Sequence, residues 1–501
     1  MVDLLNLLAG IVGDKNVSDD PFVRFTYSRD TGLLPSKMPD YVVRPGSVEE
    51  VSMILELCNR YKVPVYPRGG GAGITGHGRP CIPGGIVLDM TRMNKVVDID
   101  DENMAVTAQT GITWGELNKV VGEKNLDLGC RGPDSGLSAT IGGSISNASV
   151  PTHGAHKYGG VADNVLGLQV VLPSGDVIRT GSGANVNARA YHHRYGGGPD
   201  ITGLFIGDQG IFGVKTEATL KLYEKKPCYD GFTYAFKTLD DAQKAIIKIA
   251  RKDICTDLHV MHSTTSSFIL FLPEDLASRD VLRRREKILE GIKDQEKYDF
   301  FVNAEGWIFG TIEGYSEKEV EVKKAICEEI CKKAGSVDIG PYYALDYYEN
   351  QFGLLYGTWL KGFTRVVACC ARLPITTIAD TIRSTVQILE EEAREYGWMY
   401  VWAGTVVENH YQIPVAAAAV STDTEAFEDV KESLYRAWVR MRDSYIFKYG
   451  GRPYWIGEFV SLALMRAYDG RYIELVRKIK DTLDPNHILN PGLFPYPVGE
   501  G

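Results

Sequence analysis

Five glycines in eight positions mark Pro67-Arg68-Gly69-Gly70-Gly71-Ala72-Gly73-Ile74-Thr75-Gly76, directly after the short strand pattern Val63–Tyr66. Such a loop removes side chains where a ligand must approach the backbone. Its N–H groups, turned into a concave surface, can cradle a pyrophosphate without many cations. That matters in a chain whose formal net charge is −10. Ordinary turns use the same residues, so the loop alone is a weak signal. No Gly-Lys-Ser/Thr follows it, which excludes a Walker loop, and its spacing differs from the Rossmann Gly-x-Gly-x-x-Gly.

The 501 residues suffice for two or three domains with sizeable cores. Apolar residues at 44% and charged residues at 24% are the mix of a globular chain rather than a disordered one. Acidic residues outnumber basic ones 65 to 55, so the overall field repels phosphate backbones and anionic membranes and makes nucleic acid an unsuitable partner. Met1 to Gly13 lacks a basic region, and the longest apolar runs, such as Val415 to Val420, are too short to span a bilayer. No transmembrane segment and a cytoplasmic location are expected. Nine cysteines include no Cys-x-x-Cys pair, which disfavours an iron–sulfur cluster and a zinc ribbon. Cys327 and Cys331, beside Ile326 and Ile330, read as buried thiols on a helix.

Strand and helix signals mix throughout, giving an α+β or α/β class. Ser47-Val48-Glu49-Glu50 has the form of a capping box, followed by Val48, Val51, Leu55 and Cys58 on one helix face. Ile86 to Met90 and Met104 to Ala108 read as strands, and Thr113-Trp114-Gly115-Glu116 opens a second capped helix. Residues 137 to 222 are glycine-punctuated β structure, with strands expected at Val165 to Leu172, Asp176 to Thr180 and Phe212 to Leu222. Beyond Pro227, helices are expected from Ser316 to Gly335, Thr376 to Tyr396, Thr424 to about Phe447 and Arg471 to Leu483, with a strand at Arg365 to Ala371.

Further motifs follow the loop in order. They are Gly132-Pro133-Asp134-Ser135-Gly136, Ala139-Thr140-Ile141-Gly142-Gly143-Ser144-Ile145-Ser146-Asn147, Tyr158-Gly159-Gly160 with Asp163 to Gly167, Gly203 to Val214, and Asp484-Pro485-Asn486 through Gly492. Together they resemble the FAD-linked oxidases of the vanillyl-alcohol oxidase and p-cresol methylhydroxylase superfamily, densely over about residues 40 to 223 and well over the last 45. The resemblance implies an α+β protein: a two-lobed PCMH-type FAD-binding domain at 40–223 and an α+β cap at 224–450. An N-terminal extension (1–39) precedes these, and a segment at 451–501 returns to the FAD domain. It further implies that Arg68, Gly69, Gly70, Gly71, Ala72, Gly73, Thr75 and Gly76 hold the pyrophosphate. Pro133, Asp134, Thr140, Gly142, Gly143 and Asn147 would line the rest of the cofactor, and Gly213 and Val214 the adenosine side. His77 is the nearest candidate for a covalent flavin link, and non-covalent FAD is expected.

Two branches compete, one acting on 2-hydroxy acids and the other on para-substituted phenols. Residues 8 to 66 favour the glycolate oxidase subunit and D-lactate dehydrogenase-like branch, as does Ala371-Arg372-Leu373-Pro374, where Arg372 matches a carboxylate-binding arginine. The metal-binding His-x-Gly-Asp-Gly-Asn-Leu-His run of that branch is here Trp402 to His410, keeping only its last histidine, and its Gly-Glu-His is Gly457-Glu458-Phe459. A metal is therefore not expected. The Gly-Glu-Tyr-Arg of the phenol branch reads Gly457-Glu458-Phe459-Val460, although Leu354-Leu355-Tyr356-Gly357 matches that branch's scaffold. His410 is the expected base, Glu458 its orienting partner or a substrate ligand, and Tyr454 or Tyr411 a donor to the developing oxyanion. The reading is an FAD dehydrogenase oxidising a small 2-hydroxy acid or related alcohol. Its electrons would go to a protein acceptor, an iron–sulfur subunit or electron-transfer flavoprotein, and a homo-oligomer stays open. The alternatives are an aromatic alcohol or phenol oxidase and a non-catalytic electron-relay subunit.

Overall fold

The computed structural model describes residues 3–30, 32–352, 364–396, 398–421 and 426–498. The Leu354–Gly357 run and the first two residues of the helix expected from Thr424 lie outside them.

The first lobe is a four-stranded sheet in the order Val17–Ser18, Tyr41–Val43, Ile86–Asp89, Val65–Arg68. Its last three strands pair in parallel, which requires crossovers, and the helix Val48–Tyr61 supplies one. Ser47 caps that helix by accepting from the Glu50 N–H at 3.2 Å, and Val51, Ile54, Leu55 and Cys58 are buried on its inner face. Residues 1–39 were expected to be an N-terminal extension. Their described part instead completes this lobe: Val17–Ser18 pairs with Val42–Val43, and Leu8 and Val12 enter the same core.

The second lobe is a five-stranded antiparallel sheet, ordered Val96–Asp100, Ala105–Gln109, Val214–Lys221, Val165–Val171, Val177–Arg179. Every residue of Val165–Val171 is buried, as expected of a central strand covered on both faces. The helix Trp114–Gly122 starts at a full Thr113–Glu116 capping box, and Trp114 donates its indole N–H to Ser144 at 2.8 Å.

The cap is an eight-stranded sheet running from Val337–Asp338 at one edge through Cys228–Phe236, Gly306–Gly314, Asp257–His262, Met399–Val407, Tyr411–Ser421 and Thr364–Pro374 to Arg452–Pro453. Helices including Leu239–Ala250, Glu317–Lys333 and Ile378–Tyr396 pack into its core with Cys369, Ala371, Leu373 and Trp402. Alternation then leaves Cys370 and Arg372 on the opposite face of their strand. The closing strand Arg452–Pro453 falls just past the boundary expected at 450, so the sheet is completed by the C-terminal segment.

Two more helices, Gly457–Ala467 and Gly470–Leu483, lead back to the first lobe, where Val65 donates to Ile488 O at 2.7 Å and accepts from Asn490 N at 2.9 Å.

Candidate functional site

Both lobes and the cap contribute walls to a hollow that is partly open to solvent, about 1370 Å³ when the solvent at its open side is included. The loop Pro67–Gly73 forms one wall, and the backbone N–H groups of Gly69, Gly70, Gly71, Ala72 and Gly73 find no acceptor among the described residues. Five adjacent N–H groups left free beside a hollow suit an anion with several acceptor oxygens. Not every glycine serves ligand approach. A Cβ on Gly70 would stand 1.6 Å from the Ser138 carbonyl oxygen, and one on Gly69 would stand 2.0 Å from Thr140 Oγ1. These two let the loop press onto the second lobe, whereas Gly71 supplies a left-handed turn at φ +66°. Arg68 holds the turn closed by donating to Gly78 O at 2.8 Å.

Pro133, Asp134, Thr140, Gly142, Gly143, Asn147, Gly213 and Val214 also line the hollow. Burial pushes the Asp134 carboxyl pKa up. Thr140 caps the helix Ile141–Asn147, and Gly142 N–H is already given to Thr110 O at 2.8 Å, so this helix start offers fewer free donors than the glycine loop. Asn147 Oδ1 is buried without a partner. Thr75 and Gly76 do not line the hollow. Thr75 O accepts from Phe459 N at 3.1 Å and Gly76 N donates to Asp30 at 2.8 Å, so both tie the loop to its surroundings. His77 does line it, but Nδ1 meets Thr75 Oγ1 at 3.0 Å and Nε2 stands 2.0 Å from where a Gly73 Cβ would be. Nδ1 is thus engaged by the loop, and Nε2 packs against Gly73.

The expected catalytic residues separate. Tyr454 lines the hollow, and its hydroxyl is engaged by Val150, accepting from N at 2.7 Å and donating to O at 3.2 Å. Burial pushes its pKa up to about 12. Arg372 does not line the hollow itself but lies behind Tyr454, over whose ring it stacks at 5.3 Å; it donates through Nη2 to Ala148 O, while its Nη1 is buried with no well-formed acceptor among the described residues. His410 does not reach the hollow: it sits on the hairpin turn after Val407, its side chain 64% exposed, with Nε2 3.2 Å from Glu408. Glu458 also lies outside, clamped between Lys37 at 2.7 Å and the fully buried Arg79 at 2.9 Å. It joins the C-terminal helix to the first lobe. Tyr411 packs against the apolar cluster around Tyr454 and Ile413.

Three residues escaped the sequence reading. Thr405 and Trp455 line the hollow, along with Cys370, Ile413 and Val415. Arg452 pairs with Arg372 across the strand register, and burial together with the Arg372 charge brings its pKa down to about 10. Neither arginine has an ion pair among the described residues. Strand register would have revealed this pairing, and one sequence does not carry it. Among the described residues no group of three His, Cys, Asp or Glu could hold a metal, and Trp402, where the metal-binding run would begin, is fully buried in the cap core. No described helix is long and apolar enough to cross a membrane.

The chain matches the FAD binding domain family over residues 39–181 and the C-terminal domain of FAD linked oxidases over residues 232–493, the latter more than half its length. It belongs to the FAD-linked oxidases. Glycolate oxidase subunit GlcD of Bacillus subtilis is 28% identical over 98% of this chain and 96% of that protein. The mitochondrial D-lactate dehydrogenase [cytochrome] of Arabidopsis thaliana is 38% identical over 49% of this chain and 41% of its own length. Substrate-bound p-cresol methylhydroxylase shares the fold, with TM-score 0.77 at 19% identity over 99% of this chain and 97% of that one. The chain is thus an FAD-linked oxidoreductase with the fold of p-cresol methylhydroxylase. The free N–H groups of the glycine loop and the unpartnered Asn147 oxygen fit its cofactor.

Proposed function

We propose that this oxidoreductase is a dehydrogenase of a small 2-hydroxy acid, with the substrate carboxylate held by Arg372. The observation that carries this reading is Arg372 itself, stacked on Tyr454 at the wall of the hollow beside the Tyr411 hydroxyl, with a buried Nη1 that meets no well-formed acceptor among the described residues. A buried guanidinium N–H without a partner is costly, and a carboxylate would satisfy it in the planar, two-toothed geometry arginine favours. Arg452 adds a second positive charge to the same patch. FAD, held along Arg68–Gly73 with Asn147 at its side, supplies a two-electron acceptor for the hydride.

The chain's own residues orient the substrate and exclude water. Arg372 fixes the acid end, and Val150, Cys370, Ile413, Val415 and Trp455 line an apolar part of the wall. Tyr454 holds Arg372 by stacking and is itself fixed by Val150. The flavin is held non-covalently on this reading, which the engagement of His77 Nδ1 with Thr75 Oγ1 supports. Electrons then pass to a protein acceptor, an iron–sulfur subunit or an electron-transfer flavoprotein. We place this activity in the cytoplasm.

The same apolar lining favours a second reading, a substrate with an aromatic body such as a 4-hydroxybenzylic alcohol. Anaerobic flavin bleaching separates the two. D-lactate, glycolate or 2-hydroxyglutarate should bleach the flavin of the purified holoenzyme. Bleaching by 4-hydroxybenzyl alcohol and by none of the acids would sink the hydroxy-acid reading.

A further inference from the structure

Oxidising a CH–OH carbon releases a hydroxyl proton as well as a hydride, and His410 is too exposed and too far out on its turn to face the hollow. Thr405 does face it, and its hydroxyl meets His259 Nδ1 at 3.2 Å. The contact is built into the sheet, because His259 and Thr405 are direct partners in the antiparallel register of Asp257–His262 with Met399–Val407. His259 is almost wholly buried, stacked on Phe309 at 4.6 Å and met edge-on by Tyr347 at 4.8 Å, so the ring has little freedom to turn. Its Nε2 is buried and meets no hydrogen-bond partner among the described residues. A relay through this contact requires the tautomer with its N–H on Nε2, which leaves the Nδ1 lone pair to accept from the threonine hydroxyl.

We propose that Thr405 and His259 form a proton relay for the substrate hydroxyl, an inference that rests on the hydroxy-acid reading above. As the hydride leaves the carbon, the substrate O–H bond breaks and its proton passes to Thr405 Oγ1. The hydroxyl proton of Thr405 passes in the same step to His259 Nδ1, and the substrate C–O bond becomes a carbonyl. One hydride and one proton have left the substrate, and the imidazole has become an imidazolium. Thr405 is the residue that touches substrate; His259 acts through it.

The surroundings suit this task. Asp257 lies two residues before His259 on the same strand face and accepts from Gly154 N at 2.6 Å and Thr311 Oγ1 at 2.5 Å. Burial raises the Asp257 pKa, but His153, His259 and Thr311 outweigh it and bring it to about 2, so a carboxylate stands ready for the imidazolium. The other titratable groups facing His259 are His153, His156 and Tyr347. Burial lowers the ring's own pKa to about 4, which keeps it an unprotonated base at neutral pH.

Stopped-flow reduction of the holoenzyme flavin by the acid that bleaches wild type tests the relay. Thr405→Val and His259→Gln should each lower the limiting reduction rate about 100-fold, the scale of a lost general base. Thr405→Ser should keep most of it, which separates loss of the hydroxyl from damage to the fold. The fall in rate at acid pH should be present in wild type and absent in His259→Gln. Nitrogen-15 spectra of the imidazoles, taken without substrate, should show the His259 Nδ1 signal move in Thr405→Val. Reduction within twofold of wild type in both Thr405→Val and His259→Gln would overturn the relay alone, as would an unmoved Nδ1 signal. Failure of every hydroxy acid to bleach wild type would overturn the hydroxy-acid reading and the relay with it.

Discussion

At Arg372 a single guanidinium joins three walls of the site: Ala148 from the second lobe, Tyr454 from the C-terminal segment and the cap strand that carries it. Replacing it with methionine should raise KM for the acid about 100-fold with a smaller effect on the limiting rate of flavin reduction, because a desolvated charge contact costs a few kcal/mol when lost. Steady-state and stopped-flow rates measured together check this split. Gly70→Ala places a methyl against the Ser138 carbonyl, and the loop must move to relieve it. FAD affinity, followed by recovery of flavin fluorescence on release, should fall at least tenfold, and unchanged affinity would show that the loop's position is unimportant. The glycine loop was legible because its chemistry is local. Thr405 was not, since a threonine in a strand is ordinary and its partner His259 lies 146 residues away. His410 attracted attention by its place in a motif, and only the hairpin shows that it points to solvent.

Helix starts were the elements most readily read from sequence. Ser47, Thr113 and Ser316 each accept from the N–H three residues on, and each is followed at that spacing by glutamate. Thr113→Ala removes the side-chain half of the capping box, leaving the Thr113 N–H bonded to Glu116, and should cost about 1 kcal/mol, seen as a lower urea midpoint with unchanged slope. The cap sheet was only partly legible. Its order places Asp257–His262 beside Met399–Val407, and nothing in either strand names the other. The strand Thr364–Pro374 reads as a continuous apolar run because Cys369 and Ala371 face the helices while Cys370 faces the hollow. The one arginine in the buried part of that run then marks the face where a ligand belongs.

Across the whole molecule, Glu458 ties the C-terminal helix to Lys37 and Arg79 of the first lobe. Glu458→Ala leaves Arg79 buried without its partner carboxylate and should destabilise the fold by about 3 kcal/mol, measured by thermal or urea unfolding. Burial lowers His77, His259 and His262 to about 4. In the unfolded chain they titrate near about 6.5, so between these values the unfolded state binds more protons. Their contribution to stability is full above about pH 6.5, falls as pH drops toward about 4 and is constant below it. Urea midpoints that stay level from pH 7 to about pH 4.5 would contradict this. Finally, Val65 lies just ahead of the cofactor loop and bonds to Ile488 and Asn490. A ribosome making this protein must therefore deliver everything from Pro67 to Asn490 before that strand meets its last neighbour, so the wall beside the cofactor loop cannot be finished while the first lobe alone has emerged.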